Sequence, residues 1–128
     1  MSYYFNTTIN EDFEKAKEIV TEALKEQGFG ILTEISVNET FKKKLDLDFK
    51  KYHILGACNP NFAHQAISKE DKIGVMLPCN VILEENEDGS IEVSAVDPVA
   101  SMQAVKNKDL GGIAEQVRDR LQAVIQSL

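Results

Sequence analysis

The C-terminal segment, residues 108–128, constrains the fold more than any other part of the sequence. Its apolar residues recur at spacings of three and four, which predicts an amphipathic helix. They are Leu110, Ile113, Val117, Leu121, Val124 and Leu128. The charges between them are of mixed sign, whereas a membrane-surface helix has a basic polar face. We therefore expect this helix to pack on a sheet formed by the rest of the chain.

Alternating apolar and polar residues and a high content of β-branched residues predict the strands of that sheet. The predicted strands are residues 3–8, 31–37, 52–58, 74–85 and 91–95. Asp88-Gly89 is a hairpin-turn dipeptide, which predicts antiparallel pairing of the last two strands. Ile31, Thr33 and Ile35 should share one face of their strand. Pro78 lacks an amide hydrogen, so it places its strand at a sheet edge or at a bulge.

Further helices are predicted between the strands. Asn10 is the expected N-cap of the first helix, whose inward residues are Phe13, Ala16, Val20, Ala23 and Leu24. A short surface helix is expected over residues 38–47. Asn59-Pro60 and Asp97-Pro98 are helix starts, because Asn and Asp cap free amides and proline suits the first helical turn. The helix after Asn59 should turn Phe62, Ala63, Ala66 and Ile67 inward, with His64 on a neighbouring side.

Composition limits the class of protein. With 128 residues and 43% hydrophobic content, the chain is expected to form a single domain, residues 1–128, with its own core. Its net charge of −7 repels polyanions, so we expect no nucleic-acid binding. Neither a membrane span nor a leader sequence is expected, so we predict a cytoplasmic protein that does not associate with membranes. In that compartment both cysteines should be reduced thiols.

A repeated Cys-Asn motif marks the candidate site. Cys58-Asn59 and Cys79-Asn80 each lie beside a proline, near the predicted rim of the sheet. His64 and Asp97 are expected close by, so the candidate ligand-binding residues are Cys58, Asn59, His64, Cys79, Asn80 and Asp97. Strand alternation should point His53 and Cys58 to opposite faces.

The chemistry of this site stays open at the sequence level. The helix start after Cys58 favours a lowered thiol pKa, but free cysteines are also often inert core residues. A Cys58–His64 nucleophilic pair is conceivable, although no orienting carboxylate is evident. Metal-ligating types are present, namely His53, Cys58, His64, Cys79 and Asp97, but without a metal-binding spacing. The lysine-rich run, Lys42, Lys43, Lys44, Lys50 and Lys51, is either a solvated surface or an anchor for an anionic ligand.

The motifs around these cysteines resemble those of a known family. Residues 52–60, the Ala63-His64-Gln65-Ala66 segment, residues 74–81 and Asp97-Pro98 are closely similar to the domain-of-unknown-function family number 302. The resemblance covers nearly the whole chain. It implies a compact two-layer α+β fold with helices on one side of one sheet, and homodimers. The family has no agreed activity, so the resemblance supports the fold and the location of the site but does not indicate a function.

Together these observations predict an α+β two-layer sandwich, with a five-stranded, mainly antiparallel sheet and helices packed on one face. The function favoured by the residues is a non-enzymatic module that binds a small ligand or ion at the Cys/Asn/His rim, in a homodimer. The first alternative is a thiol-dependent redox or transfer enzyme that uses Cys58 or Cys79. The second alternative is that the motif is architectural and the exposed sheet face forms the dimer interface.

Overall fold

A computed structural model describes residues 2–128 of the chain. Its centre is one five-stranded antiparallel sheet with strand order β1-β5-β4-β3-β2. The strands are β1 (Tyr4–Ile9), β2 (Gly30–Ser36), β3 (Tyr52–Cys58), β4 (Cys79–Glu85) and β5 (Ile91–Val96). The helices are α1 (Phe13–Glu26), α2 (Val37–Leu45), α3 (Pro60–Lys69), α4 (Pro98–Ser101) and α5 (Lys108–Gln126), and a 3₁₀ helix spans Asp71–Met76. The predicted α+β sandwich is confirmed.

One face of the sheet forms the core with α1, α3 and α5. Alternate strand residues such as Leu55, Val81 and Val93 are buried there, and they pack with the predicted apolar stripes of α1 and α5. The stripe of α5 is buried from Leu110 to Val124. Since most of the stability of a helix in a protein comes from packing its apolar face, burial of this stripe holds α5 to the sheet. No helix within residues 2–128 is long and apolar enough to span a membrane.

The opposite face of the sheet, which we call the open face, carries a cross-strand row of isoleucines. Ile35 pairs with Ile54, and Ile54 pairs with Ile82. Ile35 is 50% exposed, while Ile54 and Ile82 are half-buried. The open face is therefore partly apolar.

The predicted hairpin is confirmed at the turn between β4 and β5. Gly89 adopts a positive φ of 87°, which glycine tolerates without steric cost. Oδ1 of Asp88 accepts hydrogen bonds from the amide and hydroxyl of Ser90, at 2.9 and 2.6 Å. The Asp-Gly dipeptide therefore makes the turn for which its chemistry is suited.

Two predicted strand details are wrong. Residues 74–85 are not one strand, because Asp71–Met76 is a 3₁₀ helix and β4 begins at Cys79, after Pro78. The amide of Leu77 donates to the carbonyl of Gly74, so a turn competes successfully with the sheet there. In β2, an irregularity in register between Ile31 and Thr33 breaks the simple alternation. These two residues therefore do not share a face through regular alternation.

Two helix details are also corrected. The N-cap of α1 is Asp12, whose Oδ1 accepts the amide hydrogen of Lys15 at 2.8 Å, and not Asn10. The choice follows from geometry, because only Asp12 stands directly before the first helical residue, Phe13. Ile67 of α3 was predicted to face inward but is 43% exposed, because Phe62 and Ala66 already define the buried face of that helix.

Candidate functional site

The two cysteines lie on adjacent strands at the same end of the sheet. Cys58 ends β3 and Cys79 begins β4, and Ala57 is the register partner of Cys79. Because β3 and β4 are antiparallel, the end of one strand meets the start of the next. We call this end of the sheet the rim. Both thiols are free.

A narrow cavity, which we call the rim cavity, lies between the rim, α3 and α5. Its volume is about 40 Å³. Both cysteines line it together with apolar side chains that include Phe29, Phe62, Leu77, Met102, Ile113 and Val117. No charged side chain of residues 2–128 is among its walls. The rim cavity is therefore suited to an apolar group rather than to an ion.

The environments of the two thiols differ. Cys79 is buried, and burial, with a smaller contribution from the nearby Cys58, raises the pKa of its thiol to about 11. Cys79 is therefore a protonated thiol at neutral pH, which is a poor nucleophile. Cys58 is half-buried and immediately precedes Asn59, the N-cap of α3. Of the two, Cys58 is the thiol that reagents can reach.

Asn59 has a structural role in this arrangement. It is buried, and its Oδ1 accepts the amide hydrogen of Phe62 at 3.4 Å. Its Nδ2 lies so close to Gly28 that a Cβ at Gly28 would be 2.9 Å away. Gly28 has a positive φ of 85°, so the tight loop after α1 and the cap of α3 fit against each other. Asn59 therefore has its side chain committed to holding α3 at the rim.

The other three predicted site residues do not join the cysteines in the rim cavity. His64 is exposed on α3. Asn80 is exposed next to the buried Cys79, so alternation turns its side chain away from the core. Oδ1 of Asp97 accepts the amide hydrogens of Val99 and Ala100 at 2.9 and 3.4 Å, and thus caps α4. The structure brings Cys58, Asn59 and Cys79 together in the rim cavity. Asn80 lines a surface groove next to Cys79, and His64 and Asp97 lie outside both.

The residues considered for a metal site are likewise dispersed. β4 separates β3, which carries Cys58, from β5, which precedes Asp97. Across residues 2–128, no three His, Cys, Asp or Glu side chains converge to hold a metal ion.

A polar cluster that sequence reasoning did not single out joins β2, β3 and α1. Nδ1 of His53 lies 2.6 Å from Oε2 of Glu34, and Nζ of Lys17 lies 3.0 Å from the same oxygen. The ring of His53 meets that of Phe13 edge to face, with centroids 4.6 Å apart. Burial raises the pKa of Glu34, but the hydrogen bonds from His53 and Lys17 outweigh it and hold the pKa below its ordinary value. These residues are far apart in sequence, and only the pairing of β2 with β3 brings Glu34 and His53 together.

Two of the five lysines in the lysine-rich run pair with acidic side chains. Nζ of Lys42 lies 3.1 Å from Asp46 and 3.3 Å from Asp48, and Nζ of Lys50 lies 2.8 Å from Glu84. These lysines are exposed. The exposed position of Lys42 fits the interpretation of the run as a solvated surface. Lys50 instead forms an ion pair with Glu84 on the open face.

Comparisons with known proteins identify relatives over almost the whole chain. The sequence model of the family described as "Domain of unknown function DUF302" matches residues 5–128. The structure is similar to the crystal structure of an uncharacterized conserved protein DUF302 from Bacillus stearothermophilus, with 26% sequence identity, a TM-score of 0.90 and coverage of 98% of each chain. A search among curated proteins found no significant match.

Proposed function

Because this chain belongs to the DUF302 family, a domain family of unknown function, we propose its function from the site itself: it is a non-enzymatic binding module whose rim cavity takes a small apolar ligand. The observation that carries this proposal is the apolar lining of the rim cavity around Cys58 and Cys79. Apolar cavities of this kind stay dry and take up apolar guests.

The size of the rim cavity limits what can enter it. Its volume of about 40 Å³ is only a few times the roughly 10–15 Å³ that a cavity needs to hold one water molecule. Four alanines form part of its walls, namely Ala57, Ala63, Ala66 and Ala114. A ligand therefore inserts only a methyl or short alkyl group.

A surface groove continues the rim cavity outward. This groove, of about 270 Å³, shares Leu77, Pro78 and Met102 with the cavity and extends along Val75 and Met76. Val75 and Met76 are adjacent and both exposed, at 84% and 38%, so the groove carries a contiguous apolar patch of the kind that marks binding surfaces. The remainder of a ligand would lie along this groove, so the ligand class is a small molecule with an alkyl end.

Dissolved xenon tests whether the rim cavity admits an apolar guest, because xenon enters dry apolar cavities. We expect xenon to shift the backbone amide NMR signals of residues around Cys58 and Cys79. Ala63→Leu, which fills the cavity from α3, should abolish these shifts. Gln65→Leu adds a leucine to the exposed side of the same helix and should leave them unchanged. Equal shifts in all three proteins, or none in the wild type, would refute the proposal.

A thiol-dependent enzyme is the alternative function. It depends on Cys58, because Cys79 is protonated at neutral pH. His64, the base considered for it, is exposed on α3 and is not part of the cavity wall. The geometry therefore favours binding over thiol catalysis.

A cytoplasmic location is also part of the proposed function, because free thiols persist in reducing compartments.

A homodimer through the β2–β3 half of the open face, at the other end of the strand order from β1 and β5, is the second part of the proposal. The observation that favours it is the pair Ile35 and Ile54, cross-strand neighbours on a face without the buried helix contacts of the core. Burying such apolar surface stabilises association. Ile54→Lys should then convert a dimer into a monomer in sedimentation analysis, whereas Gln65→Lys, on the exposed side of α3, should not. A wild-type protein that is monomeric at micromolar concentration would contradict this part.

A further inference from the structure

All three tyrosines of the chain line one groove on the open face, which we call the tyrosine groove. Its volume is about 440 Å³, within the range of roughly 300–1,000 Å³ typical of small-molecule sites. Its walls include Tyr3, Tyr4, Tyr52, Ile82, Glu84 and Glu92. The tyrosine groove shares no cysteine with the rim cavity, so it is a separate site.

Two carboxylates face each other in the tyrosine groove. Glu84 and Glu92 are register partners on β4 and β5, and like charges directly opposite each other destabilise a sheet. Oε2 of Glu92 accepts a hydrogen bond from Nδ2 of Asn6 at 2.9 Å, but that amide is neutral. Within residues 2–128, Lys50 is the one cation that pairs with these two carboxylates, 2.8 Å from Glu84.

The ammonium group of Lys50 therefore already pairs with one wall residue of the tyrosine groove, Glu84. The hydrogen bond to Glu84, opposed by burial and assisted by the charges of Glu84 and Glu92, raises the pKa of Lys50 above its ordinary value. One lysine leaves a negative charge unbalanced on a chain whose net charge is already −7. The electrostatics therefore favour a second cation and disfavour an anion.

Aromatic rings complete the chemistry of the site. The rings of Tyr3 and Tyr4 meet edge to face with centroids 5.0 Å apart, and both are exposed, at 69% and 43%. The face of a tyrosine ring attracts an organic cation. We propose that the tyrosine groove binds a small organic cation of the alkylammonium class. Its nitrogen contacts Glu84 and Glu92, and its alkyl part lies on the tyrosine rings.

Tyrosine fluorescence reads out this site without a label, because the chain contains no tryptophan and its three tyrosines all line the groove. The probe is n-pentylammonium chloride at low ionic strength. We expect a saturable fluorescence change with this probe, and none with 1-pentanol, which has the same alkyl chain without the charge. An equal response to pentanol, or no response to pentylammonium, would overturn the proposal.

Two pairs of variants distinguish binding of pentylammonium in the tyrosine groove from its general attraction to an acidic protein. Glu92→Gln should weaken pentylammonium binding by up to about fivefold, the effect of an exposed ion pair, whereas Glu115→Gln, on the exposed side of α5, should not. Lys50→Gln removes the competing ammonium and should tighten binding, whereas Lys43→Gln on α2 should not. Equal effects within either pair would overturn the proposal. The xenon test of the rim cavity is independent of all these outcomes.

Discussion

Glu34 and His53 are joined across β2 and β3 by a hydrogen bond of 2.6 Å between Oε2 and Nδ1. Lys17 reaches the same carboxylate oxygen from α1, at 3.0 Å. The three side chains therefore connect the edge of the sheet to the first helix. This contact has a consequence for stability that depends on pH.

Glu34→Gln should destabilise the protein at pH 7 and make little difference in acid. The pKa of Glu34 is lowered in the folded state, so its stabilisation is present above the ordinary carboxyl pKa and is lost as pH falls through the folded pKa. Because the side chain is 36% exposed, solvent screening limits the effect to about 0.5–1 kcal/mol. Urea unfolding at pH 7 and pH 3 measures it. Glu115→Gln is the control, and a destabilisation by Glu34→Gln that is equally large at both pH values would contradict the assignment.

The two cysteines should differ in their rate of alkylation in the folded protein. Burial raises the pKa of Cys79 to about 11, whereas Cys58 is half-buried. Iodoacetamide at neutral pH should therefore label Cys79→Ala protein, which retains Cys58, faster than Cys58→Ala protein, which retains Cys79. Both variants should react fully after denaturation. Faster labelling of the Cys58→Ala protein would contradict the burial of Cys79 at the rim.

Gly28→Ala should be clearly destabilising. Gly28 has a φ of 85°, and an added Cβ would approach Nδ2 of Asn59 to 2.9 Å. Strain of this kind costs about 1–3 kcal/mol, to which any disturbance of the α3 cap adds. Gly30→Ala is the matched control, because a Cβ there meets no atom within 4 Å. In thermal unfolding, we expect a lower Tm for Gly28→Ala and an unchanged Tm for Gly30→Ala. Equal Tm values for the two variants would contradict the packing of Asn59 on Gly28.

Leu121→Ala should cost about 2–5 kcal/mol of unfolding free energy, the usual range for deleting a fully buried leucine side chain. Leu121 is 0% exposed in the core between α5 and the sheet. Ile67→Ala on α3 should cost less than about 1 kcal/mol, because Ile67 is 43% exposed. Denaturant unfolding compares the two. Similar losses would mean that the inward prediction for Ile67 was right and the phase of α3 in the structure is wrong.

The helices were predictable because their periodic patterns are long. In α1 the buried residues Phe13 and Val20, and in α5 the buried residues Ile113 and Val124, are those that the spacing indicates. Over several turns a helical period leaves only one face to bury. In the shorter α3, Ile67 fits an apolar stripe in sequence, yet the position of Phe62 against the core turns it outward.

The strands and the site were less predictable because they depend on pairing between distant segments. An irregularity in register near Ile31 changes the alternation of β2, and a local turn at Leu77 shortens β4. The alternation of apolar and polar residues along a strand indicates neither a bulge nor a turn. The rim position of Cys58 followed from its place at the end of a predicted strand. Cys79 lies at a strand end only because β4 begins after Pro78, inside the predicted strand 74–85. His64 and Asn80 lie outside the rim cavity because a helix phase and a strand parity, not closeness in sequence, decide where their side chains point.

The tyrosine groove illustrates the same limit. Tyr4 and Tyr52 are far apart in sequence and lie on β1 and β3. They line one groove only because the strand order β1-β5-β4-β3 brings both strands to the same open face. No local pattern around either tyrosine indicates that order.

Native mass spectrometry of the reduced protein isolated from cells tests the central claim, that the rim cavity holds a small apolar ligand, most directly. We predict that the wild type and Gln65→Leu carry the same additional mass on each chain of 14.3 kDa, and that Ala63→Leu lacks it. An additional mass that persists in Ala63→Leu, or its absence from the wild type, would contradict the claim.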